Sequence, residues 1–335
     1  MTGIFLMEKD LISISDLTKR EVEEIFDLTS RLKHEAANPD SPFAKPSARR
    51  STKDKAPLRG KTLAMIFEKP SLRTRVTFEV GMRQLGGTTI YLSPQDIQLG
   101  KRESVKDIAR NLSRWCDGLM ARTFSHETIL ELSRYSTIPI INGLSDREHP
   151  CQALADIFTL WEKGWAGLKP APTLAYIGDG NNVCHSLLLL CGILGIPMRV
   201  GCPKGYEPDP KIVKKARESI TNHHTRKAGS RITSIHILHD PVEAVKGSDA
   251  VYTDVWTSMG QENETETRRK VFRGFQVNTR LLSKAKKDAW FMHCLPAHRG
   301  GEVTDEVLDG HQSIVLDQAE NRLHVQKAIL ITLLE

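Results

Sequence analysis

The chain reads as an α/β protein made of two parallel-sheet domains joined by helices. Three observations predict this. Short apolar runs of strand length alternate with longer runs at helical spacing along nearly the whole chain, the pattern of a parallel sheet covered on both faces. The alternation occurs in two series, separated by a stretch rich in Pro and small residues, Gly167 to Pro172. The length, 335 residues, suffices for two domains of ordinary size.

In the first series, Leu17, Val22, Ile25, Phe26 and Leu28 recur at helical spacing and predict a helix over Ser15–Lys33. A polar connection from about Glu35 to Lys61 follows. It holds the one dense basic stretch, Lys45 to Lys61, which reads as a solvated surface loop. Strands are expected at Thr62–Phe67, Thr88–Leu92, Gly118–Arg122 and Ile138–Ile141, and helices at Val76–Leu85, Glu103–Trp115 and His126–Tyr135. Helix Pro150–Lys163 starts with Pro in the first turn, where a missing N–H is tolerated. The second series has strands Thr173–Ile177, Met198–Gly201, Ser234–Leu238, Ala250–Asp254 and Trp290–His293. Its helices are Val183–Leu194, Asp209–Thr221, Pro241–Lys246 and Glu264–Phe272, and an apolar run, Ala319–Leu334, predicts a docked C-terminal helix.

Hydrophobic content of 39% and charged content of 26% are those of a soluble globular protein. Lys plus Arg number 47 against 41 acidic residues, a net charge of +6. That balance suits an anionic small substrate; no single helix or tail carries the excess, so it is weak support for a nucleic-acid partner. No apolar run reaches the roughly 18–20 residues of a membrane span, and Met1 to Leu6 is too short and uncharged for a signal peptide. Six scattered cysteines, with neither a C-x-x-C pair nor zinc-ligand spacing, fit a reducing cytoplasm.

Ligands of open parallel sheets bind beyond the carboxyl ends of the strands, so residues just after each strand are the functional candidates. After the first strand stands Ser71-Leu72-Arg73-Thr74-Arg75, with Ser71 at or near a helix N-cap. A first helical turn has unpaired N–H groups and favours anions. Here two guanidiniums and two hydroxyls join it, and arginine grips phosphate oxygens in pairs. Arg122 follows the third strand, and His149-Pro150-Cys151-Gln152 follows the fourth. In the second series the strand ends carry Gly178-Asp179-Gly180-Asn181-Asn182, then Asp254 to Gly260, then His293-Cys294-Leu295-Pro296. Ser71, Arg73 and Thr74 suit a phosphate; Arg122, His149 and Gln152 are donors suited to a carbonyl and an amide. The combination fits an acyl phosphate, whose carbonyl oxygen gains charge in the transition state. Asn182, Asp254 and Ser258 suit an amino-acid zwitterion.

Together these stretches resemble the aspartate/ornithine carbamoyltransferase superfamily. Ser71–Arg75 matches its S-T-R-T-R phosphate motif at all but one position, and His149-Pro150-Cys151-Gln152 matches its H-P-x-Q motif. Asp254 with Ser258-Met259-Gly260, and His293-Cys294-Leu295-Pro296, resemble the ornithine branch in particular. The resemblance runs from about Leu11 to the end. It implies transfer of the carbamoyl group of carbamoyl phosphate to L-ornithine, giving L-citrulline and phosphate, in arginine metabolism. It implies two Rossmann-like domains: 1–150 for carbamoyl phosphate, with helix 319–335 packing back on it, and 151–318 for ornithine. It also implies that Ser71, Leu72, Arg73, Thr74, Arg122, His149, Gln152, Cys294, Leu295 and Arg322 hold carbamoyl phosphate, with Gln98 reaching into a neighbouring subunit's site. Asn182, Asp254, Ser258 and Met259 would hold ornithine. Arg122, His149, Asp254 and Cys294 would be catalytic, with Cys294 assisting removal of the amine proton. The Leu295–Pro296 bond would be cis. No metal or organic cofactor is implied. The implied assembly is a homotrimer, sometimes with trimers assembled further.

Leu72 departs from the pattern, which has Thr there. Leucine retains the backbone N–H and loses only a hydroxyl contact. Three rivals weigh less. A carbamoyltransferase for putrescine, N-acetylornithine or aspartate fits the Ser258-Met259-Gly260 loop poorly. A nicotinamide-dependent oxidoreductase fails on the glycine fingerprint, where Val183 takes the third glycine's place. A non-catalytic anion or nucleic-acid binder explains none of His149, Gln152 or Cys294.

Overall fold

The structure, a computed structural model, describes residues 10–37, 56–168, 171–223, 234–258, 260 and 262–335. Most of the basic stretch Lys45 to Lys61, and Met259, lie outside the described residues.

The chain divides into two compact units, 1–154 with 320–335, and 155–319. Helix α6 (Pro150–Leu160) and helix α13 (Val315–Leu334) each run across that division, so the chain passes between the units through helices.

The first unit opens with α1 (Lys19–Ala37), preceded by one 3-10 turn at Ile14–Asp16. Then β1 (Thr62–Phe67), α2 (Leu72–Gln84), β2 (Thr88–Leu92), the short α3 (Pro94–Ile97) and α4 (Val105–Trp115) follow. Next come β3 (Gly118–Arg122), α5 (His126–Tyr135) and β4 (Ile140–Leu144). The strands pair in parallel in the order β2-β1-β3-β4. Strand β1 is central and almost wholly apolar. Leu63 to Phe67 are all buried, the four larger side chains each contributing roughly 1.5–3 kcal/mol by leaving water. One face packs on Ile108, Leu112, Ile129 and Leu132 of α4 and α5. Helix α13 returns to this unit, and its Leu334 and Leu330 lie against Gly118 and Gly81, where a larger side chain would collide or crowd.

The second unit contains β5 (Leu174–Ile177), α7 (Asn182–Leu194), β6 (Met198–Gly201), α8 (Pro210–His223), β7 (Ile235–Leu238) and α9 (Pro241–Val245). It continues with β8 (Ala250–Thr253), α10 (Thr265–Phe272), α11 (Thr279–Leu282), β9 (Trp290–His293) and α12 (Asp305–Leu308). Its five strands are parallel in the order β7-β6-β5-β8-β9. Ala175, Ile177, Val251 and Phe291 point into one core with Phe272 and Phe275. Tyr176 and Tyr252 stack at 5.7 Å between ring centroids. Both domains are thus the parallel α/β folds expected from the alternation.

Several elements differ from the expected bounds, α1 and α13 by four residues at their starts, and in β4 the physical reason is visible. Strand β4 begins two residues later and continues through Asn142-Gly143 to Leu144. Local preference marks Asn-Gly as a turn. Tertiary pairing overrides it: Asn142 N–H donates to the Leu11 carbonyl (2.8 Å) and its Nδ2 to the Ile12 carbonyl (2.8 Å). Helix α2 starts at Leu72, where the expected Ser71 cap puts it, one turn before the apolar periodicity.

Candidate active site

In the first unit the site is assembled at the carboxyl ends of β1, β3 and β4. The Ser71 hydroxyl accepts the Thr74 N–H at 3.3 Å, which fixes the first turn of α2 and leaves no acidic side chain in it. Arg122 ends β3 opposite Phe67 of β1, and its carbonyl takes the Glu68 N–H at 2.8 Å. His149 and Gln152 lie at the start of α6 and are buried. Sequence reasoning would leave Gln152 in solvent, as first-turn glutamines usually are. The structure buries it because Arg322, from the far C-terminal helix α13, donates Nη1 to its Oε1. Arg322 also donates Nη2 to the Thr74 hydroxyl at 3.1 Å. One guanidinium thus ties α2 and α6 together. Burial first, then the charges of Arg322, Arg122 and Arg73, hold the His149 imidazole well below its ordinary pKa. It is therefore neutral at pH 7. Neighbouring Cys151 is an inert thiol, pushed up to about 12 by burial.

The motif residues do not all join this cluster. Arg75 turns away: its Nε donates to Glu79 at 2.9 Å and its guanidinium lies 3.8 Å from the Tyr91 ring centroid. Leu72 is 74% exposed. Gln98 is exposed at the end of α3, in a left-handed conformation (φ 45°).

The second unit gathers Asp254, Cys294 and Asn181 at the ends of β8, β9 and β5. Asp254 Oδ1 accepts the Val255 N–H (2.8 Å) and the Cys294 thiol (3.0 Å). Its Oδ2 accepts Asn181 Nδ2 at 2.7 Å. The Asn181 oxygen in turn caps α7, taking the N–H groups of Val183 (3.0 Å) and Cys184 (3.1 Å). That cap occupies the groups a pyrophosphate would need. Gly180 serves a close backbone approach, since a Cβ there would stand 2.2 Å from Pro208 N. Asn182 and Ser258 border this cluster in sequence, and each is half-buried.

For Cys294 the setting bears on the expected help with the amine proton. A proton-accepting thiolate requires an electropositive setting. Here burial, then the Asp254 charge, push the thiol well above its ordinary value. Cys294 is a neutral thiol that donates to Asp254. With Leu295 it lies on the second unit, whereas the other residues expected around carbamoyl phosphate lie on the first. The Leu295–Pro296 peptide is cis.

Asp254, His293 and Cys294 bring three ligand-type atoms within 4.8 Å of one another. Both His293 nitrogens are already used, Nδ1 by the Leu295 N–H (2.8 Å) and Nε2 by Glu302 (3.2 Å). The trio is therefore a hydrogen-bonded set.

Sequence reasoning assigned no part to Asn181, to the Arg268–Asp179 pair or to a third contributor, Glu302. Asn181 carried a signal, a capping residue before a helix. Arg268 and Asp179 did not. They form a buried pair at 2.9 Å, and Arg268 also holds the Trp256 carbonyl at 2.9 Å, fastening the Asp254–Gly260 loop to the Gly178–Asn182 loop. The third, Glu302 beneath Cys294, is likewise visible only in the fold.

Two parallel-sheet α/β units, one with guanidiniums converging at a helix N-terminus, define a class of protein that grips an anion beyond its strands. Two family models match the chain: "Aspartate/ornithine carbamoyltransferase, carbamoyl-P binding domain" over residues 9–162 and "Aspartate/ornithine carbamoyltransferase, Asp/Orn binding domain" over residues 171–333. The chain belongs to the aspartate/ornithine carbamoyltransferase family. It is 49% identical to the ornithine carbamoyltransferase of Pyrococcus horikoshii over 331 residues, covering 99% of this chain and 97% of the relative. The solved ornithine carbamoyltransferase of Pyrococcus furiosus is also 49% identical, with a TM-score of 0.87 and 97% of each chain covered. The anabolic enzyme of Campylobacter jejuni is 39% identical, with a TM-score of 0.85 over 97% of this chain and 98% of that one.

Proposed function

We propose that the protein transfers the carbamoyl group of carbamoyl phosphate to the δ-amine of L-ornithine, giving L-citrulline and phosphate. The observation that carries this reading is the convergence of Arg73, Arg122 and Arg322 on a neutral His149 beside a capped helix N-terminus. Such a cluster offers an anion charge and hydrogen bonds together. Ser71, Arg73, Thr74, Arg322 and the first-turn N–H groups, including that of Leu72, hold the phosphate. Arg122, His149 and Gln152 address the carbamoyl group. As the amine nitrogen bonds to the carbonyl carbon, charge develops on the carbonyl oxygen. Donors set for that oxygen are worth about 3–4 kcal/mol each. The C–O bond to phosphate then breaks and its electron pair leaves with the phosphate, which the guanidiniums stabilise.

The second unit supports ornithine as acceptor. Asp254, with Asp179 and Asp156 acting on the same surroundings, makes an electronegative setting. It favours an amine and opposes the extra carboxylate of aspartate. Within the second unit, Asn182, Ser258 and Met259 complete the amino-acid site together with Cys294 and Leu295. The attacking amine must be neutral, and its proton goes to Asp254, whose carboxylate already accepts the thiol hydrogen. Amino-acid biosynthesis is the setting we infer, since the relative from Campylobacter jejuni is named anabolic. The cytoplasm is the compartment we infer, in keeping with six free cysteines. No helix among the described residues is long and apolar enough to cross a membrane. We also infer a homotrimer in which Gln98 serves a neighbouring site. Exposed Leu72 and Val76 on α2 and Ile90 on β2 support a covered apolar face there.

Purified protein given carbamoyl phosphate should produce citrulline from ornithine, and far less product from aspartate, putrescine or N-acetylornithine. A higher kcat/KM for another amine would overturn the assignment. Carbamoyl phosphate, and neither NAD nor NADP, should raise the Tm.

A further inference from the structure

We propose that His293 and Glu302 form a positioning dyad that fixes the reactive loop Cys294-Leu295 for acceptor binding; this rests on the carbamoyl-transfer reading above. Leu295 has φ 58°, a left-handed conformation that a bulky side chain disfavours. Such a residue persists only where its surroundings over-determine it. Here the determinant is visible. The Leu295 N–H donates to His293 Nδ1 at 2.8 Å, so Nδ1 is the lone-pair nitrogen. Nε2 therefore carries the hydrogen and gives it to Glu302 Oε1 at 3.2 Å. The same Oε1 accepts the His298 N–H at 2.6 Å. One carboxylate thus closes the segment from 293 to 298 at both ends.

The support continues beneath the loop. The His293 N–H donates to Gln318 Oε1 (3.0 Å), and Gln318 Nε2 donates to Asp156 Oδ1 (2.7 Å). Asp156 also receives the Tyr252 hydroxyl at 3.0 Å. Every member is buried, so each bond is made in a setting where a missing partner is costly. Burial pushes the Glu302 carboxyl up, but the bonds from His293 and from the His298 N–H outweigh it and hold it below the ordinary value. Glu302 is charged, and the imidazole tautomer follows from it. Above this frame, Cys294 is left aimed at Asp254. His293 and Glu302 are both buried, and each acts through the loop.

The test compares E302A, E302Q and H293A with the parent enzyme. Glutamine keeps an acceptor oxygen in place of Oε1, so E302Q should stay close to parent activity. In E302A and H293A, kcat/KM for ornithine should fall by about 10²-fold, the scale of a displaced reacting group, while the Kd of carbamoyl phosphate by calorimetry stays unchanged. Cys294 is half-buried, the least buried of the six cysteines, and its alkylation by iodoacetamide, read by mass spectrometry, should speed up in E302A and not in E302Q. Folded E302A with parent kcat/KM and parent alkylation rate would overturn the proposal. So would an equal loss in E302Q. If the parent enzyme itself formed no citrulline, the carbamoyl-transfer reading would fail instead, and the alkylation comparison would still judge the dyad.

Discussion

Removing Arg73 should separate binding from folding, because the two effects have opposite signs. Arg73 is only half-buried and stands in the first turn of α2, a turn that contains no acidic residue. A cation there opposes the helix dipole by about 0.3–1 kcal/mol, and it adds to the charges of Arg122 and Arg322 around His149. Alanine is also a better helix former. Ligand-free R73A should therefore melt at the parent temperature or about 1–3 °C above it. With phosphate present the sign reverses. Two charge-assisted bonds at about 2 kcal/mol each come to about 4 kcal/mol. At 1.36 kcal/mol per decade this is about a thousandfold in kcat/KM. The Tm increase that phosphate confers on the parent should shrink or vanish, since a ligand stabilises in proportion to its occupancy. Calorimetry with and without phosphate, beside steady-state citrulline formation, reads both effects. A large drop in ligand-free Tm with unchanged kcat/KM would make Arg73 a structural residue and refute the anion site.

Further predictions concern the second unit and the departure from the motif. D254N should lower kcat/KM for ornithine by about 10³-fold, the scale of a lost general base. C294S, which keeps a donor to Asp254, should lose less than about tenfold; the reverse order would restore Cys294 as the proton acceptor. Burial pushes Asp179 up to about 6 against the pull of Arg268. A raised carboxyl favours the folded state below its unfolded value of 3.8, and that advantage is lost as pH rises through about 6. Parent stability should thus fall, relative to D179N, by about 1–3 kcal/mol between pH 4 and 6; parallel urea-melt profiles would exclude Asp179 as the source. L72T should change stability by less than about 0.5 kcal/mol and kcat/KM by less than about fivefold, one hydrogen bond's worth. A larger gain would mean that a hydroxyl at that position, and not the backbone N–H, carries the phosphate contact.

Much of the fold was legible because strand and helix announce themselves locally. Strands Thr62–Phe67, Gly118–Arg122 and Trp290–His293 are continuous apolar runs, and each has the expected bounds. Buried parallel strands must be apolar on both faces, and that requirement is written into consecutive residues. The short helices Pro94–Ile97, Thr279–Leu282 and Asp305–Leu308 were not foreseen. Four residues carry too little periodicity to separate a helical turn from a loop.

By itself the sequence determined the α/β class, the capped turn at Ser71 and the family motifs, all properties of neighbouring residues. Only the tertiary structure decided which motif residues work together. It sent Arg75 to Glu79 and Tyr91, and brought Arg322 from the last helix to Gln152 and Thr74. It gave the Cys294 thiol the Asp254 carboxylate as its acceptor, and tied Glu302 to His293 beside it. Charge, tautomer and pKa depend on what lies within a few ångströms in space. Those neighbours stand 170 residues apart in the case of Gln152 and Arg322.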